Sequence, residues 1–145
     1  RKLTEEGAVF QSHIDGSKHL FSPEIVMDIQ RIIGGDIMMA FDECPPGGSE
    51  YDYARTSMEL THRWLDRCVD RFINTEDRYG YSQNLFPIVQ GGIHHDLRKI
   101  SCEYISSKEA TGNAIGGLSV GEPIEKCMKF VNCVLIVCPL KNRVI

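Results

Sequence analysis

Residues 36–48 read DIMMAFDECPPGG. A short apolar run ends at Phe41 and is followed by two carboxylates and a thiol. Two prolines and two glycines then form a loop. Continuous apolar runs of this length are typical of parallel strands that helices cover on both faces. We therefore expect a buried strand over residues 36–41, with Asp42 at its C-terminal end. The alternative is that Asp42 and Glu43 are ordinary loop acids.

The preceding stretch, residues 21–35, reads FSPEIVMDIQRIIGG and predicts a helix. Ser22 can cap its N-terminus, and Pro23 suits the first helical position. Gly34 can end the helix in a left-handed conformation. The periodicity predicts one apolar face, made of Ile25, Ile29, Ile32 and Ile33.

Helices and strands continue to alternate after the loop. The pattern predicts helices at 51–76, 94–108 and 122–134, and strands at 85–89 and 113–115. This order predicts an α/β protein with parallel strands. Both common parallel architectures, the barrel and the doubly wound sheet, place their sites at the C-terminal ends of the strands. Here those ends carry Asp42, Gln90, Gly116 and Gly117.

These residue types suit a flat, polar heterocycle. The two oxygens of Asp42 can accept hydrogen bonds from a ring N–H and a neighbouring amino group, a pair that a guanine-type edge offers. Gln90 supplies one acceptor and two donors. The glycines let backbone N–H groups approach a ligand oxygen. The alternative is that the glutamine and the glycines are ordinary turn residues.

Composition excludes several classes of protein. The chain has 145 residues, enough for one domain, with net charge −4 and no basic cluster of the kind that nucleic-acid readers carry. No apolar run reaches the roughly 20 residues of a membrane helix. The six cysteines lack Cys-x-x-Cys spacing, so we expect no metal site in this chain. No secretion signal is visible, so we expect reduced thiols and a cytoplasmic protein.

Four motifs carry a family resemblance: GSKHLFSPE, MAFDEC, NLFPIVQGG and AIGGLSVGEP. In this order and spacing the chain resembles the tRNA-guanine transglycosylases of bacterial type, also called queuine tRNA-ribosyltransferases. The resemblance implies a (β/α)₈ TIM-type barrel with a zinc subdomain, to which this chain would contribute about three βα units. It covers residues 1–132 as a central segment of the barrel. Residues 133–145 are predicted to be a divergent tail.

The resemblance also implies a reaction and a set of binding residues. Members of the family exchange guanine at the tRNA wobble position for a 7-deazaguanine during queuosine biosynthesis. By this resemblance Asp42 holds the purine edge, Gln90 lies in the pocket, and the Gly117 N–H meets the base carbonyl. Gly116 and Leu118 bind the substrate beside it.

Other residues would shape the pocket. Cys44 and Val120 match the bacterial-type pocket, which implies preQ1 rather than queuine as the incoming base. Glu122 matches the acid behind the Leu118 peptide. Glu43, in contrast, is predicted to point away from the pocket.

The family's nucleophilic and general-base aspartates and its zinc ligands belong to motifs that we expect outside this chain. We therefore predict no catalytic residue here, and zinc only in the full-length protein. The chain does not begin with methionine and is expected to be a fragment. The resemblance implies the tRNA anticodon loop as partner, and a homodimer. The alternative is a non-catalytic fragment or paralogue that acts as a scaffold or partner subunit.

Overall fold

The computed structural model describes residues 2–108, 110–137 and 143–144. They form a mixed α/β fold, as predicted. The elements in chain order are β1 (Lys2–Leu3), β2 (Ala8–Gln11), β3 (Lys18–Phe21), α1 (Pro23–Ile33), β4 (Ile37–Met39), α2 (Tyr51–Ile73), β5 (Asn84–Phe86), β6 (Ile88–Val89), α3 (His95–Ser106), β7 (Gly112–Ile115), α4 (Ile124–Val137) and β8 (Arg143–Val144).

The strands from β4 onward pair in parallel and in sequence order. β4 pairs with β5, and β6, β7 and β8 form a second sheet in that order. The strand predicted at 85–89 is thus two strands, divided at Pro87, which has no N–H to donate to a ladder. The Pro87 carbonyl still accepts from the Ala114 N–H at 2.8 Å, so β7 stays beside both pieces. The described residues form small sheets and not a closed barrel.

Helix α1 has the predicted ends but not the predicted buried face. The Ser22 Oγ accepts from the Ile25 N–H at 3.3 Å, and Gly34 ends the helix with φ 77°. Ile25, Ile32 and Ile33, however, are exposed, and Ile29 is only half-buried. The buried line is instead Met27 and Arg31, four residues apart, because this is the face that packs on α2.

Arg31 is buried and joins α1 to the C-terminal end of α2. Its Nη2 donates to the carbonyl oxygens of Phe72, at 3.1 Å, and Thr75, at 3.2 Å. Its Nη1 donates to Gln83 Oε1 at 3.2 Å and pairs with Asp77. A charged group inside the fold is thereby satisfied by two backbone oxygens, the Asp77 carboxylate and the Gln83 side chain.

The N-terminal antiparallel sheet, β1 to β3, was not predicted. Its strands have two to four residues, too short for a clear alternating pattern. The sheet is held on α2 through the Glu5 carbonyl. That oxygen accepts from Trp64 Nε1 at 2.9 Å and from Arg67 Nη1 at 2.8 Å.

The main core lies between the parallel strands and the helices. Its buried members are Met27, Met38, Ala40, Leu65, Cys68, Leu85, Val89, Cys102, Ile105 and Val134. Burial raises the pKa of Cys68 to about 12, so this thiol is protonated and packs as an apolar side chain. Cys68 and Cys127 are free thiols.

Two further sequence predictions concern the whole chain. Among the described residues, no helix is long and apolar enough to cross a bilayer. The predicted divergent tail, residues 133–145, lies partly outside the described residues. Within it, α4 continues to Val137 and β8 pairs with β7.

Candidate functional site

The C-terminal ends of β4 and β6 meet through one hydrogen bond. Gln90 Nε2 donates to Asp42 Oδ2 at 2.6 Å, and Gln90 is fully buried. This bond sets the orientation of the amide, because its nitrogen must face the carboxylate. The amide oxygen, Oε1, is buried and has no hydrogen-bond partner among the described residues. Two residues predicted separately from their strand ends are therefore neighbours.

The glycine pair at the end of β7 lies against the same amide. A Cβ on Gly117 would be 2.4 Å from Gln90 Oε1, and one on Gly116 would be 2.6 Å from Gln90 Nε2. Gly117 also has φ 64°, a conformation that side chains rarely adopt. Both positions therefore need glycine because the glutamine packs directly on their backbone.

Helix α3 holds these strand ends with two buried polar side chains that the sequence reasoning missed. The Ser101 Oγ accepts from the Gln90 N–H at 3.1 Å. The Arg98 Nη1 donates to the Gly116 carbonyl oxygen at 2.6 Å and to that of Val89 at 3.1 Å. The available signal was an arginine and a serine on a helix face that is otherwise apolar.

His62 of α2 extends this set of contacts. Its Nε2 lies 3.1 Å from the Ser101 Oγ, and its ring stacks on Tyr104 with centroids 4.2 Å apart. Burial lowers the pKa of His62 to about 4, although nearby Asp66 and Glu59 oppose the shift. His62 is therefore neutral at pH 7.

Glu43 is not the loop acid that the sequence left open as an alternative: only 2% of it is exposed. Tyr53, Ser57 and Thr61, spaced by four on one face of α2, bind it. The Tyr53 hydroxyl donates to Oε1 at 3.1 Å, the Ser57 hydroxyl donates to the Glu43 carbonyl at 3.1 Å, and the Thr61 Oγ1 accepts from the Glu43 N–H at 3.0 Å. These bonds hold Glu43 on α2 and thereby restrain the backbone of Asp42, the residue before it.

The loops that carry the predicted pocket-shaping residues also meet. The Gly47 N–H, three residues after Cys44, donates to the Val120 carbonyl at 3.1 Å. Glu122 accepts from the Val120 N–H at 3.0 Å and from the Ser119 N–H, which belongs to the peptide that joins Leu118 to Ser119. Leu118 itself is half-buried.

Metal binding is not supported within this segment. Among the described side chains, no group of three or more histidine, cysteine, aspartate or glutamate residues could hold an ion. The zinc that the resemblance implies for the full-length family protein has no candidate ligand set among the described residues.

A carboxylate, an amide and a glycine peptide thus share one edge of a parallel α/β fold, at the strand ends where such proteins bind ligands. The family model described as "Queuine tRNA-ribosyltransferase" matches residues 1–144. The chain belongs to the queuine tRNA-ribosyltransferase family.

Curated relatives carry the same name. The queuine tRNA-ribosyltransferase of Ruminiclostridium cellulolyticum is 54% identical over 125 residues, which cover 86% of this chain and 32% of the relative. That of Thermoanaerobacter pseudethanolicus is 52% identical over 123 residues, 85% of this chain and 32% of the relative. That of Staphylococcus aureus strain RF122 is 52% identical over 131 residues, 90% and 33% respectively. The chain therefore spans about a third of the length of these relatives.

Gly117→Ala should destabilise the site more than a matched glycine change. We define a chimera in which the 125 matched residues of the Ruminiclostridium cellulolyticum relative are replaced by those of this chain. Gly48→Ala is the control, because Gly48 has φ 76° and open space around its Cβ position. Both changes carry the cost of a left-handed residue, about 1–2 kcal/mol. Overpacking against Gln90 should add about 1–3 kcal/mol at position 117 only.

Denaturant unfolding of the two chimera variants measures this difference. Equal losses of unfolding free energy would show that Gln90 does not pack on the Gly117 backbone.

His62 should make stability depend on pH between pH 6.5 and pH 4. Its pKa is lowered in the folded state, so the unfolded chain takes up the proton first, and stability falls as the pH drops below 6.5. At pH 5 this single group should cost about 2 kcal/mol of unfolding free energy relative to pH 7.

The test compares the chimera with its His62→Gln variant at pH 7 and pH 5. Glutamine can keep a hydrogen bond to Ser101 but does not titrate, so the variant should lose about 2 kcal/mol less on acidification. The same loss in both proteins would mean that His62 is not buried in its neutral form.

Proposed function

We propose that this chain is the base-recognition part of a tRNA-guanine transglycosylase, which replaces guanine by preQ1 at the wobble position of tRNA in queuosine biosynthesis. The observation that carries the proposal is the 2.6 Å hydrogen bond between Gln90 Nε2 and Asp42 Oδ2 beside the Gly117 peptide. Family membership supports the same reaction class.

Asp42 is proposed to read the edge that guanine and preQ1 share. That edge offers a ring N–H and an exocyclic amino group, and a carboxylate accepts on both oxygens. An ionised carboxylate has about four lone-pair sites, so Asp42 can hold the base while Gln90 still donates to Oδ2. An adenine edge has an acceptor in place of the ring N–H. It would leave the carboxylate partly unsatisfied, which disfavours binding.

Gln90 and Gly117 are proposed to bind the base carbonyl. The Gly117 backbone has no Cβ to block a close approach. Gln90 would donate to the same carbonyl through the Nε2 N–H that does not bind Asp42. Gly116 and Leu118 would complete the floor. Backbone donors at such a position need no rearrangement when the ligand arrives, because the strand end already fixes them.

The preference for preQ1 over queuine is proposed from the mouth of the pocket. Cys44 and Val120 lie on loops that are in contact through the Gly47 N–H. A Cβ on Gly47 would be 2.6 Å from the Val120 carbonyl oxygen, so this contact is close. This close contact between the loops is proposed to leave room for the small aminomethyl substituent of preQ1 and not for the bulkier group of queuine.

The remaining chemistry is assigned to parts of the family protein outside this segment. The proposed reaction is a double displacement in which an aspartate attacks the ribose and holds the tRNA covalently. That nucleophile, the general base, the zinc and a homodimer contact would come from there, and a tRNA substrate implies the cytoplasm. A non-catalytic scaffold would not need a buried glutamine that donates to a carboxylate beside a glycine peptide, so this arrangement favours base binding.

Asp42→Asn should impair guanine exchange into tRNA by the chimera about tenfold to a hundredfold, since an unpaired buried polar group costs about 1–3 kcal/mol. If the asparagine oxygen faces Gln90, its amide N–H groups face the N–H groups of the base. Asp52→Asn is the control: the same chemical change on the exposed first turn of α2.

Exchange of labelled guanine measures both variants, and thermal unfolding confirms that both fold. Equal exchange rates for Asp42→Asn and Asp52→Asn would refute the role of Asp42 in base recognition. Glu43 is unsuitable as a control because it is buried.

A further inference from the structure

We propose that Arg98 and Ser101 of α3 are positioning residues of the base pocket: they fix the backbone at Gln90 and Gly117 and so set base affinity without touching the base. The inference rests on the proposed function for the identity of the ligand. The set of hydrogen bonds from Arg98 and Ser101 to the strand ends, here called the clamp, is independent of the proposed function and follows from the contacts below.

Arg98 is fully buried and donates to three backbone oxygens at the strand ends. Its Nη1 contacts the carbonyls of Val89, at 3.1 Å, and Gly116, at 2.6 Å. Its Nε contacts the Gly92 carbonyl at 2.8 Å. One guanidinium thus holds the ends of β6 and β7 and the turn that follows Gln90.

The contact at Gly116 fixes the direction of the next N–H. In a trans peptide the carbonyl oxygen and the following N–H point in opposite directions. Because the Gly116 carbonyl faces Arg98, the Gly117 N–H is directed away from it. A glycine peptide has little intrinsic preference for one orientation, so an external partner decides it.

The peptide before Gln90 is held from both sides. The Val89 carbonyl accepts from Arg98 and also from the Gly116 N–H at 2.9 Å. The Gln90 N–H donates to the Ser101 Oγ at 3.1 Å. These contacts from α3 fix the backbone of Gln90. The position of its side-chain amide relative to Asp42 is therefore fixed as well.

The charge of Arg98 strengthens this arrangement. Burial lowers the pKa of Arg98 to about 10, while Cys102 and Glu122 oppose the shift, so the side chain remains cationic at neutral pH. A cation on the Gly116 carbonyl polarises that peptide and makes the Gly117 N–H a stronger donor. The Arg98 Nη2 also lies 3.3 Å from the Cβ position of Gly117.

Arg31 offers a matched control. It is likewise buried and donates to two backbone carbonyls, those of Phe72 and Thr75. These two carbonyls lie at the C-terminal end of α2 and not at the strand ends that carry Gln90 and Gly117. Lysine in place of either arginine keeps the charge and loses the planar fork that reaches several oxygens at once. Both substitutions take a buried guanidinium away from backbone carbonyls. Arg31 additionally pairs with Asp77 and donates to Gln83, so its loss should cost at least as much stability while leaving the strand ends at Gln90 and Gly117 untouched.

The experiment compares Arg98→Lys, Ser101→Ala and Arg31→Lys in the chimera. Arg98→Lys should raise the KM for guanine about tenfold, and Ser101→Ala about threefold to tenfold, with the KM for tRNA within about twofold of the parent. Arg31→Lys should lower the thermal midpoint and leave both KM values unchanged. If Arg98→Lys or Ser101→Ala alters both KM values alike or neither, the positioning role is overturned.

Amide hydrogen exchange supplies a readout that does not depend on catalysis. Exchange at the Gln90 and Gly116 N–H groups, which are bonded to Ser101 and to the Val89 carbonyl, should be at least about tenfold faster in Arg98→Lys than in Arg31→Lys. If the unsubstituted chimera does not exchange guanine but this local protection is lost, the proposed function fails and the clamp stands. Unchanged protection overturns the clamp. Should Arg98→Lys not fold, Ser101→Ala decides by the same two measurements.

Discussion

The hydrogen bond from Gln90 Nε2 to Asp42 Oδ2 is the interaction on which the site depends. It joins the ends of two strands that Pro87 places in separate small sheets, and it orients a fully buried amide. The orientation of the amide in turn explains the glycine at 117, whose Cβ would strike Gln90 Oε1. A carboxylate, an amide and a bare peptide are thereby held in place, an arrangement that would bind the proposed base with little reorganisation.

Two helices keep that bond in place from outside the pocket. Helix α2 binds both the backbone and the carboxylate of Glu43 through hydroxyls spaced by four residues, and so anchors the neighbour of Asp42. Helix α3 binds the backbone around Gln90, the other partner in that bond. Ser101 accepts from the Gln90 N–H, and Arg98 donates to the carbonyls of Val89 and Gly116 at the two strand ends. Buried polar groups of this kind are costly unless satisfied, and the backbone oxygens and N–H groups of the strand ends satisfy most of them.

Local signals in the sequence predicted much of this fold and part of the site. The cap residues of α1 were correct because Ser22 and Gly34 act on their own helix. Asp42, Gln90 and the glycines could be chosen because parallel strands end together. The prediction of the buried face of α1 was wrong, because packing against α2, and not the hydrophobicity of the isoleucines, determines which face is buried. The roles of Glu43 and Arg98 depend on contacts between distant elements, which a single sequence does not display.

The most direct test of the central claim is a crystal structure of the chimera with guanine bound. Both Asp42 oxygens should accept from the N1–H and the amino group of the base. The base carbonyl should lie against the Gly117 N–H and Gln90. Guanine bound elsewhere, or bound at these strand ends with Asp42 turned away from its N–H edge, would contradict the role proposed for Asp42 in base recognition.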